Sequence, residues 1–192
     1  MPHYVSRKHL NTDFSSPPTL DEKITVFEDR VLGWQIEIAQ EVRRQIESGG
    51  EDGALRHAGY AVVSLLFSYF EMIAQFIEGT LSQGGTKATF VRGFKYVYPS
   101  TTMSNSDIEE VYKRVRCGMY HDGFTKFGTL IDGSYRPSVA FDGDTVKVNP
   151  HTLVADVVSH FSNYILTLKN AANTTERGKF ETTFDRGTTA SP

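Results

Sequence analysis

Residues Tyr60 to Phe76 are apolar on nearly every face of a helix, yet Glu71 sits among them. A helix of that kind cannot lie on a surface, so other elements have to surround it. A carboxylate in its interior is costly unless a cation pairs with it. The chain has 192 residues, 39% of them hydrophobic, which suffices for one domain with a real core. Extended to Gly79, the same stretch is the most apolar window. Ser64, Ser68, Glu71, Gln75 and Glu78 interrupt it every three or four residues. A bilayer span needs roughly 20 residues with few charges, so the expectation is a core helix and no membrane association. Residues 1–10 carry Arg7, Lys8 and two histidines with no apolar run behind them. That is no secretory signal, and the expected location is cytoplasmic.

The flanking segments supply the surrounding elements. Residues 1–18 end in Ser15-Ser16-Pro17-Pro18 and read as an extended lead-in. Thr19-Leu20-Asp21-Glu22 is a capping box. Behind it Leu20, Ile24, Phe27, Val31, Trp34, Ile38, Val42 and Ile46 recur every three or four residues, the stripe of one long helix stopped by Gly49-Gly50. The core helix is expected from about Asp52 to Glu78, with Gly79 as its C-cap. A short helix over Thr89–Tyr98 ends before Pro99. Ser106-Asp107-Ile108-Glu109 reads as a second capping box, opening a helix with Ile108, Val111, Val115 and Met119 on its core face. The period then changes. Thr129–Ile131, Ser138–Phe141 and Thr145–Val148 are β-prone, and Asp142-Gly143 marks a hairpin turn. Asn149-Pro150 opens the last long helix. The expected fold is all-α: a bundle of four to five helices over residues 19–172, with a small β-hairpin insertion at about 127–149. Residues 173–192 read as a polar, Thr-rich tail that docks weakly.

The single cysteine, Cys117, excludes a disulfide framework and any multi-cysteine metal site. No Gly-rich phosphate loop, His-Glu-x-x-His helix or Gly-x-Ser-x-Gly elbow occurs, and no cofactor or metal is expected. The chain is −3 overall, but residues 86–126 hold seven basic and four acidic side chains, giving +3 there and −6 elsewhere. Lys113, Arg114 and Lys126 are candidate RNA contacts in that segment. It also contains Val115-Arg116-Cys117-Gly118-Met119-Tyr120-His121-Asp122-Gly123. Gly118 inside a helix costs about 1 kcal/mol relative to alanine, a cost that a close backbone approach justifies. Gly123 marks the helix end. Without a metal, an arginine can hold a phosphate and stabilise transition-state charge. A neutral histidine can take the proton of a ribose 2′-hydroxyl. Residues five apart on a regular α-helix point about 140° apart. Arg116 and His121 therefore converge only if the helix end is distorted, or if two copies of the chain complete the site across a two-fold axis. A purely structural reading also stands: Arg116 pairs with the buried Glu71, and His121 caps the helix end.

The Arg116-x-x-x-x-His121 pair near a helix end resembles the motif of HEPN domains (higher eukaryotes and prokaryotes nucleotide-binding). Ser68-Tyr69-Phe70-Glu71-Met72 is similar to the acidic position of some bacterial members. Arg116-Cys117-Gly118-Met119-Tyr120-His121 is similar to the arginine–cysteine–glycine form of the motif. The resemblance implies a helical, usually dimeric, metal-independent endoribonuclease with Arg116 and His121 catalytic. Glu71 would orient Arg116, and Cys117, Gly118 and Tyr120 would support the motif. It implies a homodimer, an RNA substrate, a role as a toxin or phage-defence effector, and an antitoxin or other protein partner. The alternative is a catalytically inactive dimeric module that binds RNA, a nucleotide or a protein.

Overall fold

The computed structural model describes residues 1–49, 57–81 and 85–189. Helix α1 opens at Thr19, whose hydroxyl accepts from the Glu22 N–H while Glu22 reaches back to the Thr19 N–H, the capping box expected there. It runs as an α-helix over Leu20–Val31, widens to a π-helix over Leu32–Ile36 and resumes over Glu37–Ser48. Helix α2 (Gly59–Glu78) follows and stops at Gly79, which has φ +75°. The expected start near Asp52 lies outside the described residues, but His57 and Ala58 form a turn, so the described helix begins later. Then come α3 (Thr86–Val97) and α4, which is α-helical over Asn105–Val111 and π-helical over Tyr112–Asp122. Its cap is Ser104 with Asp107, two residues earlier than expected. The two Ser-x-x-acid patterns overlap, and the earlier one wins. Helix α5 (Pro150–Lys169) starts with the Asn149 side chain accepting from the His151 and Thr152 N–H groups.

Two expectations are corrected. The β segment is a three-stranded sheet of order β1-β3-β2, made of β1 (Thr129–Ile131), β2 (Val139–Asp142) and β3 (Thr145–Val148). Strands β2 and β3 form the expected hairpin at Asp142-Gly143, and β1 adds in parallel to β3. Alternation on β3 puts Val146 and Val148 in the core. The tail is the second correction, because Thr174–Thr189 forms a sixth helix, α6. Phe180 is fully buried against Phe27 and Phe76, which is worth roughly 1.5–3 kcal/mol. Ion pairs from Lys23 to Glu181 and Asp185, and from Arg177 to Asp21, tie it to α1. Threonines and glycines depress its helix propensity, and tertiary packing overrides them.

Helix α2 is the axis of the molecule, with α1, α3, α5 and α6 packed around it. Among the described residues it is the one helix long and apolar enough to cross a bilayer, and half of that window is buried inside the fold. On α1 the π-turn shifts the register. Ile36 and Ala39 turn inward, while Trp34 and Ile38, expected in the core stripe, are exposed. The lead-in packs on the same region: the Lys8 N–H donates to Asp29 at 2.8 Å and the Arg30 Nε to the Val5 carbonyl at 2.6 Å.

Candidate functional site

The distortion needed to bring Arg116 and His121 together is present. Over Tyr112–Asp122 the helix is wound as a π-helix. Its i→i+5 hydrogen bonding takes roughly 4.4 residues per turn, so residues five apart lie within about 50° around the axis. Arg116 and His121 thus share a side of this segment. Gly118 explains the winding locally. A Cβ there would stand 2.6 Å from the Phe124 carbonyl oxygen and 3.0 Å from the Lys126 nitrogen. After Gly123 (φ +79°) the chain doubles back over the helix, and the Lys126 N–H donates to the Arg114 carbonyl at 2.8 Å. This is the close backbone approach the mid-helix glycine implied.

Glu71 has the cationic partner its burial demands. Arg116 Nε lies 2.6 Å from Glu71 Oε1 as an ion pair, off the line of a hydrogen bond, and Nη2 donates to Oε2 at 3.3 Å. Burial pushes the Glu71 carboxyl above its usual range, and Arg116 pulls it back only in part. The Tyr120 ring lies 4.4 Å from the guanidinium carbon, and its hydroxyl donates to the Ser64 carbonyl at 3.3 Å. Tyr112 stands further off, at 6.0 Å. Burial raises the Tyr112 phenol, and the neighbouring Cys117 thiol adds to the effect. The Arg116 side chain keeps 19% of its surface exposed. Its Nη1 makes no hydrogen bond among the described residues, so one edge stays open to a ligand. His121 is exposed at the helix end, with no hydrogen bond or ion pair to any described residue.

No family model matches this chain, and neither does any curated protein or solved structure. The site has to be read from its own chemistry. A guanidinium with one open edge, pinned from behind, can take an anionic oxygen. An unengaged imidazole on the same side can accept or donate a proton. Among the described residues no three His, Cys, Asp or Glu side chains gather as a metal cluster.

The three expected RNA contacts separate. Arg114 pairs with Glu110 at 2.9 Å, donates to the Asp144 carbonyl at 2.5 Å and lies over the Phe141 ring, so it ties α4 to the β2–β3 turn. Lys113 and Lys126 are exposed and hold only surface pairs, with Glu110 at 3.4 Å and Asp122 at 3.5 Å. Such pairs are worth about 0–1 kcal/mol and exchange readily for phosphate. Of the segment's aromatics, Phe90 and Phe94 are core, while Tyr120 is 49% exposed. Sequence reasoning missed Phe124 and Phe127, which project from the returning loop. The signal was there in two phenylalanines flanking Lys126 between Gly123 and Gly128.

Proposed function

We propose that this chain is a metal-independent endoribonuclease of HEPN type, working as a homodimer. The observation that carries the reading is the π-helical turn, with Arg116 clamped by Glu71 and Tyr120 while His121 stays unengaged. In the reaction His121 removes the 2′-hydroxyl proton and the 2′-oxygen attacks the adjacent phosphorus. The open edge of Arg116 stabilises the added charge. The P–O5′ bond breaks, giving a 2′,3′-cyclic phosphate and a protonated 5′-hydroxyl. The leaving oxygen needs a proton from the opposite side, which His121 of a second copy supplies. An exposed apolar strip supports a second copy. Trp34 and Ile38 of α1 and Tyr120 of α4 are exposed on either side of the half-buried Leu65, Ser68 and Met72 of α2. Gln35 donates to Ser68 at 3.4 Å and Tyr120 to the Ser64 carbonyl, which sets the three helices side by side.

The test is RNA cleavage by the purified protein in EDTA, with the ends identified chemically. His121→Ala is expected to abolish the 2′,3′-cyclic product with the dimer intact, and Arg116→Lys to lower cleavage at least a hundredfold. Equal cleavage by both variants and wild type overturns the assignment. The second reading is the inactive dimeric binding module, favoured by the ion pair with Glu71, which occupies part of the Arg116 guanidinium. It predicts RNA binding in the cleft with no turnover. As a toxin or phage-defence effector, the wild type would arrest growth on expression, with His121→Ala relieving it and a neighbouring antitoxin neutralising it.

A further inference from the structure

Beside the motif lies an open polar cleft of about 390 Å³, with His57 and Asp132 at its exposed rim. It lies where the starts of α2 and α5 meet, since a Cβ on Gly59 would stand 3.0 Å from the Pro150 ring. His57, Tyr60, Thr125, Thr129, Asp132 and His151 supply its polar wall. Its volume is at the small end of the range for small-molecule sites.

Three observations mark it as a binding site. The Thr129 hydroxyl oxygen is buried and has no hydrogen-bond partner among the described residues. Leaving such a group unmade costs about 1–3 kcal/mol, which a ligand would recover. Asp132 spends Oδ1 on the Ser134 N–H and hydroxyl, at 2.8 and 2.5 Å, while Oδ2 accepts from no described residue. The cavity is also joined to the motif. The Tyr60 hydroxyl donates to the Gly123 carbonyl at 2.8 Å, two residues beyond His121, and Thr125 lines the wall two residues further on.

We infer that this cavity receives one nucleotide of the RNA and selects a base that carries an amino group, through Asp132 Oδ2. The inference rests on the nuclease reading above. A carboxylate only accepts, so where it meets the exocyclic group of the base it favours the amino groups of cytosine, adenine or guanine over the carbonyls of uracil. Among the described residues helix α2 begins without a side-chain cap, which suits the phosphate end of the same nucleotide.

The experiment titrates the full chain with CMP, AMP, GMP and UMP, following the imidazole NMR signals of His57 and His151. At least one amino-bearing nucleotide is expected to bind at least fivefold more tightly than UMP. Thr129→Val, which keeps the volume, should weaken it by roughly three- to tenfold. Asp132→Asn should erase the preference, because an amide both donates and accepts. Absence of any shift with all four nucleotides, or an unchanged preference in Asp132→Asn, overturns the proposal. A second arm compares the cleavage sites of wild type and Asp132→Asn on one RNA. Cleavage with identical base preference in both sinks the cavity's role and leaves the nuclease standing. Nucleotide binding that Asp132→Asn alters, with no cleavage of any RNA, sinks the nuclease and makes the cavity a site for free nucleotides.

Discussion

Two π-helical segments stand among the described residues, and they resemble each other in parts while differing in use. Each contains a glycine that something crosses: Arg7 over Gly33 in α1, and the Phe124–Lys126 backbone over Gly118 in α4. Each has an Arg–Glu pair beside it, Arg7 with Glu37 and Arg116 with Glu71. In α1 the π-turn spans five residues, a flexible side chain crosses it and the ion pair is open to solvent. In α4 it spans eleven residues, backbone crosses it and the ion pair is largely buried. The first is a register shift that lets the lead-in sit on the helix. The second is held from outside, and it puts an arginine and a histidine on one side. Widened helices recur at functional sites. The contrast shows that the winding alone is not the mark of a site. What distinguishes α4 is a buried charge kept where an apolar residue would pack.

The sharpest break in the comparison is at the two glycines. In Gly118→Val the new side chain meets fixed backbone at 2.6 and 3.0 Å. The returning loop has to lift, so a loss of about 3 kcal/mol in chemical denaturation is expected. Lifting the loop also frees the Lys126 N–H bond, and faster amide exchange at Lys126 is the local signature. A stability within about 0.5 kcal/mol of wild type would mean that this crossing does not hold the π-helix.

Much of this contrast was written in the sequence, but not all of it by the same kind of signal. Caps are local chemistry, so the Thr19–Glu22 box, the Asn149-Pro150 start and the Gly79 and Gly123 stops could be read residue by residue. The Glu71–Arg116 pair followed from the cost of a lone buried carboxylate, although the two lie 45 residues apart. The π-turns left no such trace. Trp34 and Ile38 fit the helical stripe as well as Ile36 and Ala39 do, and only the packed neighbours decide which pair turns inward. The parallel addition of β1 is equally non-local, since nothing within Thr129–Ile131 names its partner strand. At the site, motif spacing singled out Arg116 and His121. The wall of the neighbouring cavity comes from several separate stretches, and no pattern in the chain joins His57 to Asp132.

At the other π-turn the matching substitution is expected to do much less. In Gly33→Ala the added carbon meets the Arg7 side chain at 2.8 Å. The far end of Arg7 can swing away and give up an exposed ion pair worth about 0–1 kcal/mol, while its Cβ, 3.0 Å from the added carbon, needs only a slight yielding of the lead-in. Alanine in place of a helical glycine returns up to about 1 kcal/mol. Denaturation should place this variant within about 1 kcal/mol of wild type. A loss as large as that of Gly118→Val would make the two segments equivalent and remove the distinction drawn between them.

The smallest stability effect, and the one most specific to function, is expected at Glu71→Gln. Burial raises the Glu71 carboxyl above its ordinary 4.5 despite Arg116. The folded chain therefore binds more protons than the unfolded one once the pH exceeds about 4.5. Stability contributed by the protonated form is lost as pH rises through the folded-state value. Glutamine resembles the protonated acid and never bears that cost. Glu71→Gln should thus melt no lower than wild type at neutral pH, and the two melting curves should converge as the pH falls below about 4.5. A structural ion pair would behave in the opposite way, with the variant weakest at neutral pH. If Glu71 serves to orient Arg116, the stable variant should also lose most of its RNA cleavage. Full cleavage by Glu71→Gln would leave the buried carboxylate without the catalytic purpose assigned to it.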